Sequence, residues 1–194
     1  MFRFRRSRGP LDLAVEMAGV RMGERVIQAG VGNPRVFAKV ASLVGLTGRA
    51  CAVVDTPAGA ARLEEAAADQ GVLVEVSFTP VVPWNHADGS FDVALLDGNA
   101  LVAGLPAERD ARLIETLRVV RPGGRLLAIF ERPRGLAGRL GFEPEHRDPT
   151  PEARVLLQAL ELAGCRPVRV LAEREGLAFV EGFCAATERA RRGG

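Results

Sequence analysis

Three short stretches carry groups able to do chemistry. Residues 28–32 read Gln28-Ala29-Gly30-Val31-Gly32, directly after an apolar run. Two glycines spaced two apart let a ligand approach the backbone without a Cβ in the way and permit a positive φ. Asn33-Pro34 follows, a good N-cap and a residue suited to the first helical position. The bend thus opens onto a helix start, whose free N–H groups and positive dipole end favour an anionic ligand group. Asp55 and Asp97 close two later apolar runs. Asp97 fits a general base or a group that orients an acceptor. An Asx turn in Asp97-Gly98-Asn99 competes with that role, and an N-cap before Pro57 competes with a ligand role for Asp55.

Other polar groups are weaker signals. Trp84 is expected against a ligand rim or in the core, and His86, in the same loop, in solvent. His146 lies with Arg132, Arg134, Arg139 and Arg147 in 131–150, the longest irregular stretch and a candidate substrate-side flap. Those arginines would attract an anion or form a solvated surface. Cys51, Cys165 and Cys184 show no CxxC or His/Cys ligand spacing, so no metal site and no disulfide framework is expected. Cys51 reads as a small core residue.

The elements that must position these groups alternate. Apolar runs at 25–30, 49–55, 72–78, 91–97 and 125–131 read as buried strands. Helical patterns fill 11–18, 34–44, 57–71, 107–124 and 151–164, most ended by glycine. Residues 166–174 and 176–187 form an antiparallel hairpin about Glu175-Gly176. The expected fold is α/β, a Rossmann-like, mostly parallel sheet with helices on both faces and that hairpin at its end. Ligand belongs beyond the carboxyl ends of the strands, where strand order reverses, which for the first strand is the loop 29–33.

Length and composition agree. At 194 residues and 47% hydrophobic, the chain is sized for one domain with a core of its own. That domain is read at 10–187, between a basic flexible tail at 1–9 and a C-terminal tail at 188–194. With 26 basic and 24 acidic residues the net charge of +2 gives no electrostatic case for nucleic acid. No apolar run approaches the ~20 residues that span a bilayer. The odd, widely spaced cysteines suggest a reducing, cytoplasmic setting.

Four stretches together carry a resemblance. Gln28-Ala29-Gly30-Val31-Gly32 resembles the glycine motif of the class I S-adenosylmethionine-dependent methyltransferases, and Asp55 stands where that family keeps an acid. Val82-Pro83-Trp84 with Asp88-Gly89-Ser90-Phe91-Asp92 is similar to its "LPF…DGSFD" stretch, and 118–126 to its "RVLKPGGRL". The nearest subgroup is the small-molecule methyltransferases of ubiquinone and menaquinone biosynthesis. The resemblance implies S-adenosylmethionine as cofactor, with Gly30 and Gly32 facing its methionine portion and Asp55 accepting both ribose hydroxyls. Trp84 would pack against the cofactor rim or in the core, and Phe78 on the adenine ring. The implied activity is methyl transfer to a small-molecule acceptor, with Asp97 beside the acceptor and a homodimer left open.

Three positions depart from the family pattern. Gln28 stands where the family has an acid that helps hold the cofactor's amino group. Pro34 replaces the third glycine and removes an N–H. Ser77-Phe78-Thr79 occupies the place of an acid that faces the adenine amino group. These departures keep a second function open, a methyltransferase-like binding or assembly module that has lost its cofactor and its catalysis.

Overall fold

The computed structural model describes residues 9–80, 82–132 and 149–185. Seven strands form one sheet: β1 (Arg25–Ala29), β2 (Arg49–Val54), β3 (Glu75–Phe78), β4 (Phe91–Asp97), β5 (Val120–Glu131), β6 (Val168–Arg174) and β7 (Leu177–Phe183). Their order is β3-β2-β1-β4-β5-β7-β6. β1 through β5 pair in parallel, and β7 runs antiparallel to both β5 and β6. This is the α/β sheet with a terminal hairpin that the alternation predicts. Strand order reverses between β1 and β4, which places the glycine bend at the switch point.

Period-two alternation assigns the faces. Val26, Ala50, Ala52, Val54, Val93, Leu95 and Leu127 pack under α1 (Pro10–Ala18), α2 (Pro34–Val44) and α3 (Pro57–Gln70). Ile27, Cys51, Val53, Ala94, Leu96, Leu126 and Ala128 face the other way, toward α4 (Gly98–Ala103), α5 (Pro106–Val119) and α6 (Pro151–Leu162). The hairpin turns at Glu175 and Gly176, both with positive φ (56° and 73°), the geometry that matches strand twist. Among the described residues no helix is long and apolar enough to cross a membrane.

Several boundaries differ from those expected. The helix expected over 107–124 ends at Val119, because Val120 already pairs with Phe91. Residues 121–124 then bulge, since the next pair is Val93 with Arg125. There the Gly123 amide donates to the Cys184 carbonyl and the Cys184 amide to the Gly124 carbonyl, so the Pro-Gly-Gly stretch extends the sheet instead of merely stopping a helix. β3 starts at Glu75, not 72, because the Val72 amide still caps α3 through the Ala67 carbonyl. The second hairpin strand ends at Phe183, and β6 begins at Val168. α4 is a short helix the sequence reading lacked. Most of the expected tail at 1–9, the expected tail at 188–194, most of the 131–150 flap and its His146 lie outside the described residues.

Candidate functional site

The bend after β1 is held from two sides. The Gly30 amide donates to the Val53 carbonyl at 2.9 Å, carrying the β1–β2 ladder one residue further. Gly30 and Gly32 then take φ of 86° and 52°, which reverses the chain toward α2. A Cβ on Gly30 would stand 3.1 Å from the Asp97 Cβ, so the bend lies directly on the end of β4. Asn33 caps α2, its side chain accepting from the Arg35 amide at 3.2 Å and donating to Glu131 Oε1 at 3.3 Å.

Asp97 is the hub of this end of the sheet. Its Oδ2 accepts from the Gly32 amide at 3.1 Å and its Oδ1 from the Ala100 amide at 3.0 Å. The Asx turn weighed from sequence is therefore realised as the N-cap of α4. The same carboxylate clasps the glycine bend.

Gln28 is 4% exposed and works beneath the bend. Its Nε2 donates to the Val31 carbonyl at 2.5 Å and to the Gly30 carbonyl at 3.3 Å. These two acceptors fix which end of the amide faces the loop. A carboxylate here would face carbonyl oxygens, so glutamine is the residue that suits this loop conformation.

Two cavities open at the carboxyl ends of the strands. The first, about 390 Å³, lies between the ends of β1, β2 and β4 and helix α5. Val53, Leu96, Leu101 and Trp84 give it apolar walls, Gly30 and Asp97 border it, and Asp55 stands at its rim. The second, about 670 Å³, lies between α1, the bend, the ends of β4 and β5 and the β6–β7 turn. Gln28, Gly32, Asn33 and Asn99 supply its polar groups among others. Leu96 and Asp97 line both, so Asp97 stands where the two meet.

Asp55 does not cap α3. Thr56 does, its Oγ1 accepting from the Gly59 amide at 3.1 Å. Asp55 Oδ2 instead pairs with Arg112 Nη2 of α5 at 2.9 Å, with both side chains partly exposed. Such a pair is worth at most about 1 kcal/mol. Arg112 and Glu108 also line the first cavity.

Trp84 is buried, and its loop is fixed by α5. Its amide donates to Glu115 Oε1 at 2.6 Å, and its carbonyl accepts from Arg118 Nη2 at 3.2 Å. Arg118 also pairs with Glu115 and with Asp88. The Arg118 hydrogen bonds hold the buried Glu115 carboxyl below its ordinary range despite its desolvation.

Two side chains sit apart from where they are expected. Phe78, at the end of β3, is 52% exposed and lines neither cavity. β3 is the sheet's edge strand, so solvent takes the place of a neighbour. His86 is half-buried, not solvated, and sits edge-on to Phe91 with centroids 5.1 Å apart. Burial pushes its pKa down. The sequence reading missed Glu108, Arg112, Glu115 and Arg118. Their i, i+3 and i, i+4 spacing on one helix stripe was the available signal.

No protein-family model matches the chain. It is 31% identical over 126 residues to the ubiquinone/menaquinone biosynthesis C-methyltransferase UbiE of Pseudomonas putida, covering 61% of this chain and 46% of the relative. The chain thus spans about half the length of the curated relatives it matches. Among solved structures it resembles an S-adenosylmethionine-dependent methyltransferase from Aquifex aeolicus, with TM-score 0.67 and 18% identity over 91% of this chain and 90% of that one. It also resembles the [4+2]-cyclase SpnF, with TM-score 0.63 and 19% identity over 90% and 79%.

Proposed function

We propose that this chain, whose fold is that of the class I S-adenosylmethionine-dependent methyltransferases, binds S-adenosylmethionine and transfers its methyl group to a small-molecule acceptor. One observation carries the reading. A nucleoside-sized cavity with apolar walls and a rim carboxylate adjoins a larger cavity, and the two meet at Asp97 beside the glycine bend. These residues fit the cofactor. Val53, Leu96, Leu101 and Trp84 would shield the base from water, and Asp55 would accept from the ribose hydroxyls in place of Arg112. The second cavity, at the bend and the N-terminus of α2, would take the amino-acid portion and the acceptor. The bound cofactor supplies an electrophilic methyl carbon on a sulfonium.

Asp97 is assigned a positioning role here, because both of its oxygens already accept backbone N–H groups. Rate then rests on proximity and alignment, which suits an acceptor that needs no strong base. The test is titration with S-adenosylmethionine and S-adenosylhomocysteine by calorimetry and thermal shift. Ligand at a hundred times its dissociation constant should stabilise the fold by about 2.7 kcal/mol. No shift at millimolar ligand refutes the reading.

A second reading, a methyltransferase-like binding or assembly module without catalysis, is supported by the Asp55–Arg112 pair and by the absence of an acid at 28. The same titration decides between the two.

A further inference from the structure

Two buried thiols unused by the proposed activity meet at the opposite end of the sheet. Cys165 follows α6, its amide closing that helix on the Leu160 carbonyl at 3.0 Å. Cys184 follows β7 and is bonded through its backbone to Gly123 and Gly124 at the start of β5. Between the two, the Arg166 amide donates to the Phe183 carbonyl at 2.9 Å and the Phe183 amide to the Pro167 carbonyl at 3.2 Å. The backbones of the two cysteines are therefore tied side by side, antiparallel.

The side chains share one face. A Cβ on Gly182 would lie 3.4 Å from the Cys165 Cβ and 3.7 Å from its Sγ, so Cys165 covers Gly182. Residues two apart on an extended strand point the same way, which brings Cys184 to the face Cys165 covers. The neighbouring Cys184 thiol draws the Cys165 pKa down, and the same contact together with burial pushes that of Cys184 up. Both are buried in the same apolar cluster. Cys51 is the third thiol. It lies on β2, with β1, β4 and β5 between it and β7, and burial pushes its pKa up to about 11.

We propose that Cys165 and Cys184 are a redox-active dithiol that closes into an intrachain disulfide by exchange with a low-molecular-weight disulfide such as oxidised glutathione. The adjacent Cys184 thiol favours the Cys165 thiolate, making Cys165 the attacking sulfur. Cys165 gives up its proton and attacks the small disulfide. That S–S bond breaks, one glutathione leaves and takes a proton, and a mixed disulfide forms on Cys165. The Cys184 thiol then loses its proton and attacks the Cys165 sulfur, releasing the second glutathione. Two protein thiols are oxidised and one small disulfide becomes two thiols. The bridge staples the exit of α6 to the end of β7, at the end of the sheet away from the glycine bend.

The experiment incubates the folded full chain with oxidised glutathione, then blocks free thiols under denaturing conditions and maps peptides by mass spectrometry. Expected is the loss of two of the three blockable thiols, with a 165–184 linkage and Cys51 alkylated. The oxidised form should melt roughly 6–12 °C higher, since the bridge closes a short loop of the unfolded chain. Cys184→Ser should trap glutathione on Cys165, whereas Cys165→Ser should leave Cys184 unmodified. Three free thiols after treatment of the wild-type chain, or a linkage that includes Cys51, overturns the proposal without any variant. Neither result bears on cofactor binding, which is measured separately.

Discussion

Gly32 and Asp97, 65 residues apart in sequence, are joined by a hydrogen bond of 3.1 Å from the amide of the first to Oδ2 of the second. The bond fastens the bend after β1 to the end of β4 across the switch point. Replacing Asp97 with Ala removes this anchor and the cap on α4 together. We expect a stability loss of about 1–3 kcal/mol in urea unfolding, with weaker cofactor binding. Asp97→Asn retains one oxygen acceptor and should fall between. A thousandfold loss of turnover in Asp97→Asn with stability and binding intact would assign proton transfer to this residue instead.

Asp55 and Arg112 predict opposite effects. Asp55→Ala should weaken S-adenosylmethionine binding roughly 10–100-fold, the weight of charge-assisted hydrogen bonds to hydroxyls. Arg112→Ala frees the same carboxylate from its 2.9 Å partner and should leave binding unchanged or tighter. Calorimetry on both variants checks this. Loss of affinity in Arg112→Ala would make the guanidinium itself a ligand contact.

Placing an acid at position 28 should not help. In Gln28→Glu the carboxylate would meet the carbonyls of Gly30 and Val31 where an amide now donates. An unpaired buried acceptor costs about 1–3 kcal/mol. The variant should melt lower and bind cofactor no better. A higher melting temperature would show that the bend can turn its carbonyls away.

What the sequence made legible was local. The glycine bend, the Asn33 cap and the Glu175-Gly176 turn are each dictated by neighbouring residues. Asp97 was legible because it ends a continuous apolar run. Arg112 and Glu115 were not, since their place over the site depends on how α5 packs on β4 and β5. α4 was hidden because it begins at Gly98, a poor helix former. It is held by the Asp97 cap and by Gly98 lying against Phe130, where a Cβ would stand 2.8 Å from the ring. The exposure of Phe78 follows from the edge position of β3, a property of strand order that periodicity along one strand does not contain.

Gly59 couples α3 to the bend. A Cβ there would lie 2.5 Å from Val31 Cγ2 and 2.9 Å from Thr56 Oγ1, so Val31 has to move. Gly59→Ala should cost about 1–3 kcal/mol through overpacking, and it should lower cofactor affinity although residue 59 itself lines neither cavity. Unfolding curves and calorimetry read the two effects. Destabilisation with unchanged affinity would mean the bend adapts without Val31.

Asp92 sets an acid limit on stability. Burial alone would raise its pKa, but the Arg25 side chain and amide and the Arg121 side chain all donate to it and hold it down to about 2. A folded pKa below the ordinary value of 3.8 means the unfolded chain takes up the proton first as pH falls. The contribution, about 2 kcal/mol, is then fully present above about pH 4 and is lost progressively down to about pH 2. Urea unfolding of wild type and Asp92→Asn between pH 6 and 2 tests this. The wild-type chain should be the more stable at pH 6, and the gap should narrow as the carboxylate is protonated. Parallel curves across that range would remove Asp92 as the group responsible.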